Sequence, residues 1–106
     1  MQVNNYQIRH GSLEYLPVKV SAEKDGAPYD PTADVVQIAL PVINVDAVGG
    51  DWKDGIWETV NGEYFAKILV GPGGDVTLNK GDYDILIKIT DSPEVPIMRA
   101  GMLTIT

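Results

Sequence analysis

Four groups of residues in this 106-residue chain have types and spacings that chemistry can use. The first is Gly71-Pro72-Gly73-Gly74. A glycine-rich loop cradles phosphate when its backbone N–H groups open a helix, usually with a Lys and a Ser or Thr beside them. Here Pro72 removes one donor, and the Asp75-Val76-Thr77-Leu78 that follows reads as a short strand, so a turn is expected. The second group is acidic. Asp82 and Asp84 are two apart on an expected strand and share a side; Asp51 and Asp54 bracket Trp52. Calcium takes about six to eight oxygens, and no D-x-D-x-D-G loop supplies them, so solvated turn positions are expected and no metal or other cofactor. The third is His10, the one histidine, followed by Gly11-Ser12. A nucleophile elbow needs G-x-S-x-G between a strand and a helix, which this segment lacks. The fourth is aromatic: Trp52 and Trp57 around a glycine-containing loop, with Tyr64 and Phe65 beyond the next turn. Tryptophan serves as a core plug or as an interface anchor. Trp57 is expected in the packing between sheets, and Trp52 is a candidate for partner contact.

Elements must position these residues, and bulk properties limit them. A chain of this length favours one domain. It buries roughly 65% of its unfolded surface, enough for one modest core. There is no cysteine, so disulfides and thiolate metal sites are excluded. The net charge of −7 argues against nucleic acid, which demands a basic stripe, and against an anionic membrane surface. No apolar run reaches membrane-spanning length, and the N-terminus lacks the basic and apolar regions of a signal peptide.

Period-2 alternation recurs, and no helical period survives without a Gly or Pro break. Leu16, Val18, Val20 and Ala22 share one face of a first strand. Val35 to Val42 is apolar on nearly both faces, more than one buried face uses. Its surplus residues, Val35 and Ala39, with Ile43 just beyond, are candidates for contact with a partner. Asn61-Gly62 supplies the two positive-φ positions of a type I′ hairpin turn. It is flanked by one strand carrying Trp57 and another presenting Tyr64, Ala66, Ile68 and Val70; Trp57 and Phe65 are expected as cross-strand neighbours on the face opposite Tyr64. Asp82 to Thr90 alternates with Tyr83, Ile85, Ile87 and Ile89 inward, and Leu103 and Ile105 belong to a final strand. About seven strands with Gly/Pro turns predict an all-β, immunoglobulin-like antiparallel β-sandwich over residues 13–106. Residues 1–12 are expected as a polar N-terminal arm whose isolated apolar residues, Tyr6 and Ile8, order along a neighbour or against a sheet edge.

Leu78, Gly81 and Tyr83 form L-x-x-G-x-Y ahead of the long apolar strand. In immunoglobulin-like sandwiches a Tyr at this place turns its hydroxyl back onto the preceding backbone, a Gly permits the arch and a Leu plugs the core. Taken with GAPYDPTADVVQIAL, WETVNGEYFAKILVGPGG and SPEVPIMRAGMLTI, the pattern over roughly residues 13–106 resembles small immunoglobulin-like virion proteins of tailed bacteriophages, particularly actinobacterial phages. The resemblance implies a non-enzymatic protein of the head or head-to-tail region. It would decorate the capsid or brace the connector in many symmetric copies, contact the major capsid or other virion proteins, and reside in the virion. The family carries no catalytic residues to transfer. The alternative is a carbohydrate- or receptor-binding module of a tail or secreted protein, with Tyr29, Trp52 and Trp57 as an exposed platform.

Overall fold

The computed structural model describes residues 4–21 and 23–106, and in these the chain is almost entirely β. The strands are β1 (Asn4–Ile8), β2 (Glu14–Val20), β3 (Glu23–Lys24), β4 (Ala27–Pro28), β5 (Val35–Ala39), β6 (Lys53–Asp54), β7 (Ile56–Val60), β8 (Glu63–Val70), β9 (Gly81–Thr90) and β10 (Ile97–Ile105). One sheet has five strands in the order β1-β10-β9-β5-β6, a second has three in the order β2-β8-β7, and β3 and β4 form a small hairpin apart. The two larger sheets pack face to face. Their orders correspond to the G-F-C and B-E-D sets of an immunoglobulin-like sandwich, so the expected fold class is the observed one. Every pairing between named strands is antiparallel except β1 with β10, which is parallel.

Alternation builds the core. Leu16, Val18 and Val20 of β2, side by side with Ala66, Ile68 and Val70 of β8, lie across the sandwich from Val36 and Ile38 of β5, Ile85, Ile87 and Ile89 of β9, and Leu103 and Ile105 of β10. β-branched residues dominate because their stiff side chains pack well on a pleated surface. Ala22, the fourth inward residue expected on the first strand, lies outside the described residues. Asn61 (φ 51°) and Gly62 (φ 78°) both take positive φ, as the hairpin between β7 and β8 requires. That turn sets Val60 opposite Glu63, and therefore Trp57 opposite Ala66 and Glu58 opposite Phe65. The expected Trp57–Phe65 pair is corrected accordingly. Trp57 shares the inward face with Ala66, and Phe65 lies on the outward one.

Of the two expectations for the N-terminal segment, ordering against a sheet edge is the one observed, and the edge is the chain's own: Asn4–Ile8 is an edge strand of the five-stranded sheet, with Tyr6 opposite Leu103 and Ile8 opposite Ile105, so Tyr6 and Ile8 are withdrawn as partner contacts. Ile8 is part of the core and Tyr6 packs against it. Burial pushes the Tyr6 phenol up, while a hydrogen bond with the backbone of Lys19 pulls the other way.

The expected Asp75–Leu78 strand is reduced to a single parallel bridge between Val70 and Val76. The glycine-rich turn before it is closed on itself. Gly71 N–H donates to Val76 O (2.8 Å), Gly74 N–H to Gly71 O (3.0 Å) and Asp75 N–H to Leu69 O (2.7 Å). A Cβ on Gly71 would stand 2.1 Å from Ser12 O, so only glycine lets the turn lie this close to the β1–β2 connection. These N–H groups serve the turn, which is the physical reason for reading it as structure.

Candidate interaction surface

The corner expected at the start of β9 is present. Tyr83 is buried, and its hydroxyl donates to Asn79 O at 2.8 Å. Leu78 packs against the core from the same arch, and Gly81 takes φ +147° where the chain turns into β9. The corner fixes the register of β9, and β9 sets out the outward face of the five-stranded sheet: Asp82, Asp84, Leu86, Lys88 and Thr90.

On that face the acidic pair is held by neighbours. Asp84 accepts from Arg99 Nε (2.9 Å) and from Asn44 N–H (3.1 Å). The Arg99 guanidinium, with help from Asn44, holds the Asp84 carboxyl below the usual carboxylate range. Asp82 accepts from the Thr104 hydroxyl (2.8 Å). Asp51 takes the N–H of Val48 (2.9 Å), and Asp54 takes the amide of Gln37 (3.1 Å). Among the described residues no group of three or more His, Asp or Glu side chains is arranged to hold a metal ion. His10 stands in the β1–β2 connection, its N–H donating to Thr106 O (3.1 Å), and Ser12 closes that turn with its own N–H on Arg9 O (2.9 Å).

The surplus apolar residues of the β5 segment divide. The register of β5 against β9 continues past the strand to Val42 opposite Tyr83, so Val35, Ala39 and Ile43 all point outward. Val35 is 59% exposed, opposite Thr90. Ile43 is half-buried, and its N–H donates to Asp82 O (3.2 Å). Ala39 is fully buried and is withdrawn as a contact candidate. The connection that leaves β5 returns over this face. β6 pairs Asp54 with Gln37 and Lys53 with Ile38, so one further step brings Trp52 beside Ala39. Trp52 is half-buried there, its ring 4.3 Å from Lys88 Nζ. A cation over the indole face contributes about 0.5–1 kcal/mol at an exposed site, so Trp52 already has an intramolecular role as a cover. Of the six residues marked for partner contact, Val35 alone is openly exposed. Tyr6 and Ile8 belong to the core side, Ala39 is covered, and Trp52 and Ile43 are half-covered.

Other exposed apolar residues lacked a legible signal in the sequence. Ile97 (56%) lies opposite Lys88 on the same outward face as Val35, and Val95 (49%) stands in the turn just before it. Val42, Val45 and Val48 are exposed along the connection from β5 to β6. Their common location depends on pairing that no local pattern announces. The outward face of the three-stranded sheet also exposes Tyr15, Ile56 and Val60, here among charged neighbours. Its Lys67–Glu58 (2.6 Å) and Lys19–Glu63 (3.3 Å) pairs and the Lys67 ammonium 4.6 Å from the Tyr15 ring lace the surface with charge.

The aromatic platform of the alternative reading is not assembled. Trp57 lies on the inward side with its Nε1–H donated to Asp34 O (2.8 Å), Trp52 is on the outward face of the other sheet, and the Tyr29 hydroxyl donates to Asp34 Oδ2 (3.0 Å). Among the described residues no helix is long and apolar enough to cross a membrane. The fold and the surface define an immunoglobulin-like β-sandwich with exposed apolar residues, Val35 and Ile97 among them, on the outward face of its five-stranded sheet. No family model, curated protein or solved structure matches this chain.

Proposed function

We propose that this chain is a non-enzymatic structural protein of a tailed-bacteriophage virion. In this reading it decorates the capsid or forms part of the head-to-tail connector, and it acts by contact with other virion proteins. The observation that carries the reading is the exposure of Val35 on β5 and Ile97 on β10, on the outward face of the five-stranded sheet on either side of β9, with Val95 in the turn before Ile97, each about half exposed or more. Solvent gives such residues no stabilisation, whereas a partner surface removes their apolar area from water. The sequence resemblance over residues 13–106 supplies the particle. The acidic balance of −7 keeps copies apart before assembly.

The use of this face is tested by Val35→Asp and Ile97→Asp in a virion-assembly assay. The reading expects proteins that fold with an unchanged unfolding midpoint and enter particles at least tenfold less. Normal incorporation of both variants contradicts the use of this face.

A further inference from the structure

The backbone of a protein can itself act as a nucleophile. The amide nitrogen that follows an asparagine gives up its proton to hydroxide and attacks the carboxamide Cγ. A bond from that nitrogen to Cγ forms, the bond from Cγ to Nδ2 breaks, and ammonia leaves. Water then opens the five-membered imide at one carbonyl or the other, which yields an aspartyl or an isoaspartyl residue. No cofactor is involved. The bulk of the next residue and the hold on its nitrogen limit the step, so a following glycine, with no side chain, favours it.

Of the five asparagines in this chain, Asn61 alone precedes glycine. Asn4 and Asn5 lie in β1, ahead of Asn5 and Tyr6. Asn44 precedes Val45, a β-branched residue whose N–H donates to Val42 O (2.9 Å). Asn79 precedes Lys80, and its carbonyl accepts from the Tyr83 hydroxyl. Asn61 and Gly62 are both exposed at the tip of the β7–β8 hairpin. Among the described residues neither the Asn61 carboxamide nor the Gly62 N–H has a hydrogen-bond partner. A Cβ placed on Gly62 would meet nothing within 4 Å, so the space beside the attacking nitrogen is open.

The turn itself opposes the step. Asn61 (φ 51°) and Gly62 (φ 78°) occupy the two central positions of a type I′ turn, whose first position has ψ of about +30°. That ψ sets the Asn61 Cβ nearly anti to the Gly62 nitrogen about the Cα–C bond, whereas the imide ring needs the two eclipsed. Asn61 must therefore rotate out of the turn, which separates Val60 from Glu63 and opens the end of the hairpin. The structure assigns Asn61-Gly62 as a site of spontaneous deamidation, gated by opening of the β7–β8 hairpin and loosening that hairpin once converted. The loosening follows from the product. An isoaspartyl residue adds one carbon to the backbone of a two-residue loop, and the longer loop no longer has the type I′ geometry that sets Val60 opposite Glu63. β7 is an edge strand paired on one side with β8, so the turn is what anchors its C-terminal end. Either product also places a new carboxylate two residues from Glu63, in a chain that is already acidic. This inference concerns the hairpin and stands without the virion reading.

Incubation of the purified chain in mildly alkaline buffer, followed by peptide mapping with mass spectrometry, tests it. The peptide containing Asn61 is expected to gain the mass of an amide-to-acid conversion before any peptide containing another asparagine. The product is expected to be chiefly isoaspartate, which an aspartate-specific protease leaves uncut. The same chain unfolded in guanidinium is expected to convert roughly tenfold faster or more, since no hairpin has to open. The converted folded chain is expected to unfold at a lower denaturant midpoint than fresh protein. Asn61→Gly retains a turn of two positive-φ residues, and it is expected to keep its midpoint through the same incubation. Conversion at another asparagine first overturns the inference. So does an equal rate in the folded and unfolded chain, a converted chain with an unchanged midpoint, or an Asn61→Gly chain whose midpoint falls as far as that of wild type. The comparison of folded with unfolded wild type decides the gating even if Asn61→Gly fails to fold.

Discussion

At the residue scale, Tyr83 shows how one hydroxyl ties local sequence to topology. Its O–H reaches back four residues to Asn79 O, and its ring is buried against the core. Tyr83→Phe keeps the ring and removes the donor, leaving a carbonyl short of one bond. The expected cost is about 1–2 kcal/mol, read as a lower denaturation midpoint with unchanged slope. An unchanged midpoint removes the corner from the list of stabilising features. Asp84 carries the pH-dependent counterpart. Its carboxyl is held low by Arg99 and Asn44, so the folded state favours the ionised form. The stability this adds is present above the unfolded carboxyl pKa of about 3.9 and is lost as pH falls through the lower folded value. Arg99 is 42% exposed in its side chain, so solvent screening limits the effect to no more than about 1 kcal/mol. Asp84→Asn should therefore lower stability at neutral pH and lose its difference from wild type near pH 2, as measured by urea melts at the two pH values.

At the element scale, legibility followed the range of the interactions. The β7–β8 hairpin was readable because Asn61-Gly62 demands a particular turn within a few residues, and β9 because L-x-x-G-x-Y precedes a clean alternation. The facing of Trp57 was also fixed by that turn, through the two-residue loop; the Trp57–Phe65 pairing overlooked it. β1 was not readable. Its apolar inward residues among those described are Tyr6 and Ile8, and its partner β10 lies at the far end of the chain, so its place depends on a parallel pairing with no local signal. β6 is two residues long, too short for any period, yet its register brings Trp52 to the outward face beside Ala39, which is buried. The apolar excess of VVQIALPV was visible; which part of it the chain would cover itself was not. Val35 is the part left open, and the element-scale expectation is that Val35→Asp alters assembly and not folding. A Val35→Asp protein that unfolds outright would show this position to be required by the fold.

At the scale of the whole molecule, the sandwich separates its tasks. The interior is apolar, with no buried charged side chain among the described residues. Both outward faces mix ion pairs with exposed apolar residues: Lys19–Glu63 and Lys67–Glu58 beside Tyr15, Ile56 and Val60 on the three-stranded sheet, and Arg99–Asp84 beside Val35 and Ile97 on the five-stranded one. An outward face with exposed Val35 and Ile97 suits a component that meets other proteins in a larger assembly, the role proposed above. The most direct measurement is quantitative mass spectrometry of purified particles produced by the genome that encodes this chain. The account predicts the chain in the particles at a fixed copy number relative to the major capsid protein, retained through density-gradient purification. Its absence from purified particles, with the protein found free in the lysate, would contradict the account.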